Sequence, residues 1–310
     1  MPARVLAITL NTYREAVRAR ILIGIFGLAL ATSAYSVVVA ELSLHNEARV
    51  VADLGAASMS LYAIVVAVVL GSTSLHRELE YKTVFPILSR PIRRWEYLVG
   101  KYLGALLTVT VFIAVDSAVI LALLALEVGQ PPWKVGALAL LMLIALAVLL
   151  VRARYTRVFV AIPWAIAAVV AAWLVAAPAL EERQLVTASA VLSVCEVAIV
   201  AALATLFASF SSPFLTAVLT AWVFVIGRSA DTLAHLPSKV FGSGASATGR
   251  FLAHLFPNLH TYAPPRSLLL GEVAGAPVWP YVGMAALHAI FYGSGLLAAG
   301  ALAFDRRDFA

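Results

Sequence analysis

The sequence predicts an all-α polytopic membrane protein with about eight transmembrane helices, and two observations support this fold class. First, the 310 residues are 63% hydrophobic and only 12% charged, whereas a soluble protein has about 25% charged residues. So few charged side chains cannot coat a soluble globule. Second, the apolar residues form long runs without the alternating polarity of β-barrel strands. The composition therefore excludes a soluble enzyme, a soluble nucleic-acid-binding protein and a disordered scaffold.

The apolar runs have the length that a membrane requires. A helix crosses the hydrocarbon core with about 20 residues, because each residue rises about 1.5 Å. Eight segments meet this requirement: 21–40, 56–75, 102–126, 135–151, 158–177, 185–208, 214–230 and 278–303. The first is longer than the apolar part of a signal peptide, about 7–15 residues, and is predicted to be a retained helix.

The positions of the basic residues predict the orientation. If the N-terminus is inside, fifteen of the 22 lysines and arginines lie in cytoplasmic segments, in agreement with the positive-inside rule. Both termini are therefore predicted to be cytoplasmic. The net charge of +6 is then a topology signal, and no nucleic-acid partner is expected. The lone Cys195 cannot form an internal disulfide.

Three segments outside the spans have distinct characters within what we interpret as one domain, 1–310. Residues 1–20 have apolar side chains at helical spacing beside several arginines, which predicts an amphipathic helix at the membrane interface; the alternative is a merely basic flank of the first span. The inner loop 76–101 combines charged residues with an apolar cluster and is interpreted as a docking surface; the alternative is a solvated connector. The outer loop 231–277 contains short apolar stretches interrupted by prolines, which predicts short re-entrant or interfacial helices. Its stretch 237–249 is rich in small residues and is expected to be flexible.

Several kinds of chemistry have no support in the sequence. There is no HExxH zinc motif, and His235, His254 and His260 lack compact ligand spacing, so we expect no metal. The phosphate loop GxxxxGK[ST] is absent, so this chain is not expected to bind ATP by such a loop. Ser294 and His288, six residues apart on a helix, lie on different faces, and no catalytic residue is predicted.

Two carboxylates, Asp116 and Glu196, fall in the middle of predicted spans. A charge at that depth costs about 2.5–3.5 kcal/mol on insertion scales, so both should face the bundle interior. One interpretation places them on a substrate lumen or proton path. The other is an interhelical hydrogen bond to a nearby hydroxyl, with candidates Thr108, Ser117 and Ser193. Arg228, near a helix end, is expected to snorkel to the surface without a special role.

The inner loop resembles a known family. Residues 71–104, GSTSLHRELEYKTVFPILSRPIRRWEYLVGKYLG, resemble the segment after the second helix of type-2 ABC exporter permeases. The similarity is greatest to the branch that contains the nitrous-oxide-reductase maturation and gliding-motility permeases. The matching residues are Glu78, Glu80, Thr83, Ile87-Leu88, Ser89-Arg90-Pro91, Tyr97 and Gly100-Lys101. Supporting matches are Asn11 to Glu15, Ser211 to Pro213 and Arg306 to Phe309.

The resemblance implies a division of labour between two kinds of subunit. The inner loop would hold the coupling helix that contacts a separate ABC ATPase, and ATP and Mg would be bound by that partner. The coupling residues would be Glu78, Glu80, Lys82, Thr83, Arg90 and Pro91. The interfacial helix would help to hold the ATPase, with Tyr13, Arg14, Glu15 and Arg18 as its candidate residues. Two permeases and two ATPases would form the working unit, and the short outer helices would form a gate.

The family usually has six helices, so the eight predicted here imply an inserted hairpin, which we assign to 135–177. The leading hypothesis is therefore the permease of an ATP-driven exporter in a bacterial or archaeal plasma membrane, with no catalytic residues or cofactor of its own. One alternative is an ATP-independent secondary transporter that uses Asp116 and Glu196. The other is a membrane anchor that transports nothing. The sequence does not identify the substrate.

Overall fold

A computed structural model describes residues 2–43, 45–80, 93–153, 156–272 and 277–305, and for 2, 75–80, 238–241 and 254 it describes the backbone alone. All the regular elements in these ranges are helices. The α-helices are α1 (Pro2–Val17), α2 (Arg20–Ala40), α3 (Glu47–Glu80), α4 (Arg94–Glu127), α5 (Pro132–Arg152), α6 (Ala161–Val175), α7 (Leu180–Ala208), α8 (Pro213–Arg228), α9 (Ala230–Ala234), α10 (Ser238–Leu255), α11 (Arg266–Leu269) and α12 (Val278–Asp305). Short 3-10 helices at Arg157–Val160 and Leu259–Tyr262 complete the described elements.

Seven helices in the described ranges are long and apolar enough to cross a membrane. They are α2, α3, α4, α5, α7, α12 and the unit Arg157–Val175 that contains α6. The predicted span 214–230 corresponds to α8, which has only 16 residues. Helices α3 and α4 begin well before the predicted spans because their polar first turns continue the same backbone hydrogen bonding. Each predicted span therefore contains a helix, seven of them long and one short.

Helix α7 lies at the centre of the bundle. It packs against α3, α4, α8 and α12, and its buried side chains occur on all its faces. Helix α5 lies at the edge, where Val135 is its one buried residue. Its leucines are exposed, and in a bilayer they can face lipid without cost, because lipid tails are as apolar as leucine.

Small residues allow the central helices to approach closely. A Cβ atom on Gly71 of α3 would lie 2.3 Å from Cβ of Ala204 on α7. A Cβ atom on Gly55 would lie 2.8 Å from Ile120 of α4. Packing of this kind drives helix association in membranes, where the hydrophobic effect between helices is absent.

The bundle has two ends that carry different features. We call the end where α3 stops and α4 starts the loop end, and the opposite end the far end. The predicted outer loop 231–277 follows α8 at the far end and contains most of α9, all of α10 and α11, and the second 3-10 helix. In the stretch 237–249, which is expected to be flexible, residues 238–249 lie in α10, which Gly242 interrupts with a φ of 84°. Glycine adopts this left-handed conformation without a Cβ clash.

Candidate functional site

Two of the six predicted coupling residues lie at the loop end. Glu78 and Glu80 belong to the last turn of α3. Their side chains lie outside the described part of the chain, as do Lys82, Thr83, Arg90 and Pro91 entirely. The description resumes at Arg93, whose N–H donates a hydrogen bond to Oε2 of the buried Glu96 at 3.1 Å. This contact satisfies a donor at the start of α4, which defines where the helix begins.

The first turn of α4 is fastened to the end of α12. Nη1 of Arg94 donates hydrogen bonds to the carbonyl oxygens of Phe304 and Asp305, both at 3.1 Å. One turn further along, the ring of Tyr97 stacks on that of Phe304, with ring centroids 6.4 Å apart. The last carbonyls of a helix have no partner within it, so an arginine that reaches them caps α12.

The opposite side of the same turns holds α1. Gly100 and Gly104 are spaced as in the small-residue motif that brings helices together. A Cβ atom on Gly100 would lie 2.7 Å from Ile8, and one on Gly104 would lie 2.5 Å from Cβ of Thr12. The start of α4 is therefore held between α1 and α12.

The four candidate residues of the interfacial helix occupy different surroundings. Tyr13 is fully buried and stacks on Phe159, with ring centroids 6.0 Å apart, and burial raises the pKa of its hydroxyl to about 12. Glu15 forms an ion pair of 3.4 Å with Lys101 of α4, whose side chain is only 5% exposed. Arg14 and Arg18 are exposed. Helix α1 thus presents one face to α4 and a basic face to the surroundings.

Asp116 is completely buried between α4 and α2. Its Oδ1 accepts a hydrogen bond from Ser33 at 3.1 Å, and its Oδ2 has no hydrogen-bond partner among the described residues. The candidate partners Thr108 and Ser117 instead donate to carbonyl oxygens of their own helix. The interhelical hydrogen bond therefore forms, but with a serine that the sequence did not indicate.

Glu196 is also completely buried, and two other helices supply its partners. Ser60 of α3 donates to Oε2 at 3.2 Å, and Arg228 of α8 donates to Oε1 at 2.5 Å. The expectation that Arg228 has no special role is wrong, because its guanidinium turns inward to an acid that would otherwise be an unpaired charge. Opposite charges inside a bundle pair with one another for this reason.

A cavity of about 180 Å³ opens beside this ion pair toward the far end. Its wall contains Arg228, Ser60, Ser189, Ser193, Tyr262, Asp53 and Arg266, together with apolar residues. Glu196 and Asp116 are not part of this wall. The partners of Glu196, rather than Glu196 itself, are therefore the polar groups that line the space.

Arg266 joins the far-end segment to two long helices. Its Nη1 donates to Asp53 of α3, and its Nη2 donates to Glu182 of α7 at 3.3 Å. Its side chain is 17% exposed, so these bonds are partly shielded from water. Gln184 adds a bond of 3.3 Å from its Nε2 to the carbonyl of Leu269. The segment around α11 is therefore fixed to the central helices by charge and by hydrogen bonding.

Arg266, Asp53 and Ser60 were not anticipated as site residues. A buried glutamate needs a partner, and this requirement could have pointed to Arg228, the basic residue at the end of the next apolar helix. No comparable signal marks Arg266 or Asp53, which are distant in sequence. Among the described residues, no group of histidine, cysteine, aspartate and glutamate side chains is arranged to hold a metal ion.

Comparison with protein families decides the class of the chain. The family described as "ABC-2 family transporter protein" matches residues 7–227. This range includes most of α1, the end of α3, the start of α4 and the buried Glu196, and it ends one residue before Arg228. The chain belongs to the ABC-2 transporter family. Members of this family are membrane components of ABC transporters and normally work with an ABC ATPase partner. No curated protein sequence is significantly similar to the chain.

Family membership and the seven long apolar helices together make this a multi-pass membrane protein. The matched range also contains α5 and α6, the hairpin that we expected to be an insertion. The described part of the ABC-2 chain thus has a loop end where α4 contacts α1 and α12, and a far-end cavity lined by Arg228 and Arg266.

Proposed function

We propose that this ABC-2 chain is the permease subunit of an ATP-driven exporter and that the loop end receives the motion of the ATPase. The observation that supports this most directly is the position of α4. Its first turns follow immediately after the segment 81–92 and contact both α1 and α12. A displacement of that segment would be transmitted to α4, which follows it in the chain, and to α1 and α12, which contact the first turns of α4.

The proposed coupling residues are those around the end of α3 and the start of α4. Glu78, Glu80, Lys82, Thr83, Arg90 and Pro91 would contact the ATPase, as the resemblance of the sequence implies. Closing of the ATPase pair on ATP would displace the segment that bears them. A ligand shifts a conformational equilibrium only by its differential affinity for the two states, so a rigid attachment is what converts ATP binding into helix movement.

The assembly and orientation follow from the same proposal. Two permeases and two ATPases would form the unit, with ATP and Mg bound by the ATPases. Both termini and the loop end would be cytoplasmic, the far end would be outside, and α8 would count as the eighth, short span. The hairpin 135–177 would be an addition to a six-helix core. We also propose a plasma-membrane location. The resemblance of residues 71–104 supports membership of the branch that contains the nitrous-oxide-reductase maturation and gliding-motility permeases.

The test reverses charge at the loop end in a co-expressed complex. A candidate ABC ATPase from the same genome is co-expressed with the wild type, with E78K/E80K, or with E41K/E181K. Glu41 and Glu181 are exposed acids at the far end, so the second pair is a matched control for charge. We expect E78K/E80K alone to lose co-purification of the ATPase and the ATPase activity of the complex.

Three other outcomes would contradict or replace the proposal. An intact complex with unchanged ATPase activity in E78K/E80K contradicts docking at the loop end. Transport by the isolated chain in liposomes, driven by a proton gradient without ATP, would instead identify a secondary transporter that uses Asp116 or Glu196. Purification with an unrelated complex and no transport would identify an anchor.

A further inference from the structure

The far-end cavity brings together two guanidinium groups from separate parts of the chain. Arg228 comes from the end of α8, and Arg266 comes from α11. Both line the same space of about 180 Å³, with the side chains of Ser60, Ser189, Ser193 and Tyr262 around them. Ser60 and Tyr262 already donate within the protein, so the donors that remain for a ligand are those of the two arginines and of Ser189 and Ser193.

The two arginines keep donors that their carboxylate partners do not use. A guanidinium has five N–H donors in a planar fork. In the described part of the chain, Arg228 uses Nη1 on Glu196, and Arg266 uses Nη1 and Nη2 on Asp53 and Glu182. The remaining N–H groups of the two arginines, together with the hydroxyls of Ser189 and Ser193, suit a group that only accepts hydrogen bonds.

Two of the three carboxylates that pair with these arginines lie outside the wall. Arg228 and Arg266 line the cavity, whereas their partners Glu196 and Glu182 do not. Asp53 is the one carboxylate in the wall, and it is shared between Arg266 and Arg49. Three carboxylates offset the charges of the two arginines, so a ligand inside would be held by hydrogen bonds to the guanidinium groups and not by a net positive charge.

We propose that this cavity binds a single oxyanion, a phosphate or carboxylate group, between Arg228 and Arg266. Arginine is suited to this because its fork matches both groups with paired, charge-assisted hydrogen bonds. A drug-sized pocket has about 300–1,000 Å³, so the smaller volume here holds one polar group and not a whole lipid. The assignment rests on the proposed exporter only in taking the far end as part of the transport route.

Binding is measured on the purified full-length chain, without the ATPase. Inorganic phosphate and acetate are titrated against chloride at constant ionic strength, and the thermal unfolding midpoint is recorded. A ligand that binds only the folded state raises this midpoint with concentration. We expect a saturable rise for at least one of the two anions in detergent. Repetition in phosphatidylglycerol nanodiscs identifies the source: a lipid headgroup would occupy the site and remove the response, whereas a non-lipid anion would leave it.

Variants separate the cavity from general charge effects. We expect R266Q to raise the half-saturation concentration about tenfold, since a hydrogen bond to a charged group contributes enough for such a change. S189A/S193A retains every charge, so it tests the two hydroxyls even if R266Q does not fold. We expect it to raise the half-saturation concentration about threefold. The control is R183Q, because Arg183 stacks on Trp173 and is not in the wall.

Two results would overturn the proposal. One is the absence of a saturable response to either anion in lipid-free detergent. The other is an equal response in the wild type, R266Q, S189A/S193A and R183Q. Because the ATPase takes no part in this experiment, either result leaves the loop-end proposal to be judged by its own charge-reversal test.

Discussion

Arg228 donates a hydrogen bond to Glu196 across the contact between α8 and α7, and the carboxylate that it meets is fully buried. Ser60 of α3 completes the arrangement. One polar contact therefore joins three helices inside an apolar bundle. It also fixes the short α8, whose Gly227 lies so close to the far-end segment that a Cβ atom would be 2.6 Å from the carbonyl oxygen of Pro257.

Removal of the arginine from this pair should cost more than removal of both charges. R228Q leaves Glu196 buried without its cation, and loss of one partner of a buried ion pair costs about 3–5 kcal/mol. R228Q/E196Q leaves two neutral amides that can bond to each other and should recover most of that loss. The measurement is the free energy of unfolding of the chain in detergent.

The control for this cycle is R183Q, which removes an arginine from the same end of the bundle but leaves Glu196 paired. We expect it to change the free energy of unfolding by about 1 kcal/mol, because Arg183 loses only its stacking on Trp173 and one long hydrogen bond near the surface. Equal losses in R228Q and R228Q/E196Q would show that the pair does not stabilise the bundle as described.

A methyl group on Gly104 should displace α1. In G104A, the added Cβ would lie 2.7 Å from the backbone oxygen of Thr9, which cannot move unless the helix moves. Overpacking of this kind costs about 1–3 kcal/mol. We expect faster hydrogen exchange along α1, measured by mass spectrometry on the full chain.

The matched substitution is G136A in α5, where an added Cβ meets nothing within 4 Å. Alanine is the better helix former by about 1 kcal/mol, so G136A should leave the exchange of α1 unchanged and cause no loss of stability. If the amides of α1 exchange at the same rate in G104A and G136A, then α1 is not seated on Gly104.

Loss of the Arg94 side chain should loosen the end of α12. In R94Q, the carbonyls of Phe304 and Asp305 lose the hydrogen bonds from Nη1. A net hydrogen bond contributes about 1 kcal/mol, so local opening of the last turn should become easier by about that amount. Hydrogen exchange of 300–305 measures this directly. R152Q, which removes the basic residue in the last turn of α5, should leave that exchange unchanged.

Much of the fold could be predicted from the sequence, because hydropathy over about 20 residues identifies a spanning helix with little help from context. The first and last residues of the helices were less predictable. Helix α3 begins at Glu47 and runs to Glu80, beyond both limits of the predicted span, since polar turns extend a helix without a hydropathic signal. The stretch 237–249 was expected to be flexible because it is rich in glycine and serine, yet it folds into most of α10.

The candidate site was only partly predictable, for a physical reason. Asp116 and Glu196 were identified because a carboxylate in an apolar span is costly wherever the helix lies. Their partners depend on the relative rotation and depth of separate helices. Ser33 is 83 residues from Asp116, and Arg266 is 213 residues from Asp53. No local sequence pattern indicates contacts between residues so far apart in the chain, so the residues that line the cavity could not be predicted from the sequence.

The most direct test of the central claim is a cross-link from the loop end to the ATPase. The chain has a single cysteine, Cys195, so a C195A background permits one new cysteine at a time. K82C and Q130C, the second at the far end just after α4, would each carry a benzophenone in the co-expressed complex. If the ATPase docks at the loop end, we expect a light-dependent permease–ATPase adduct from K82C and none from Q130C. A co-purifying ATPase that forms no adduct with K82C, or forms one equally with Q130C, would contradict it.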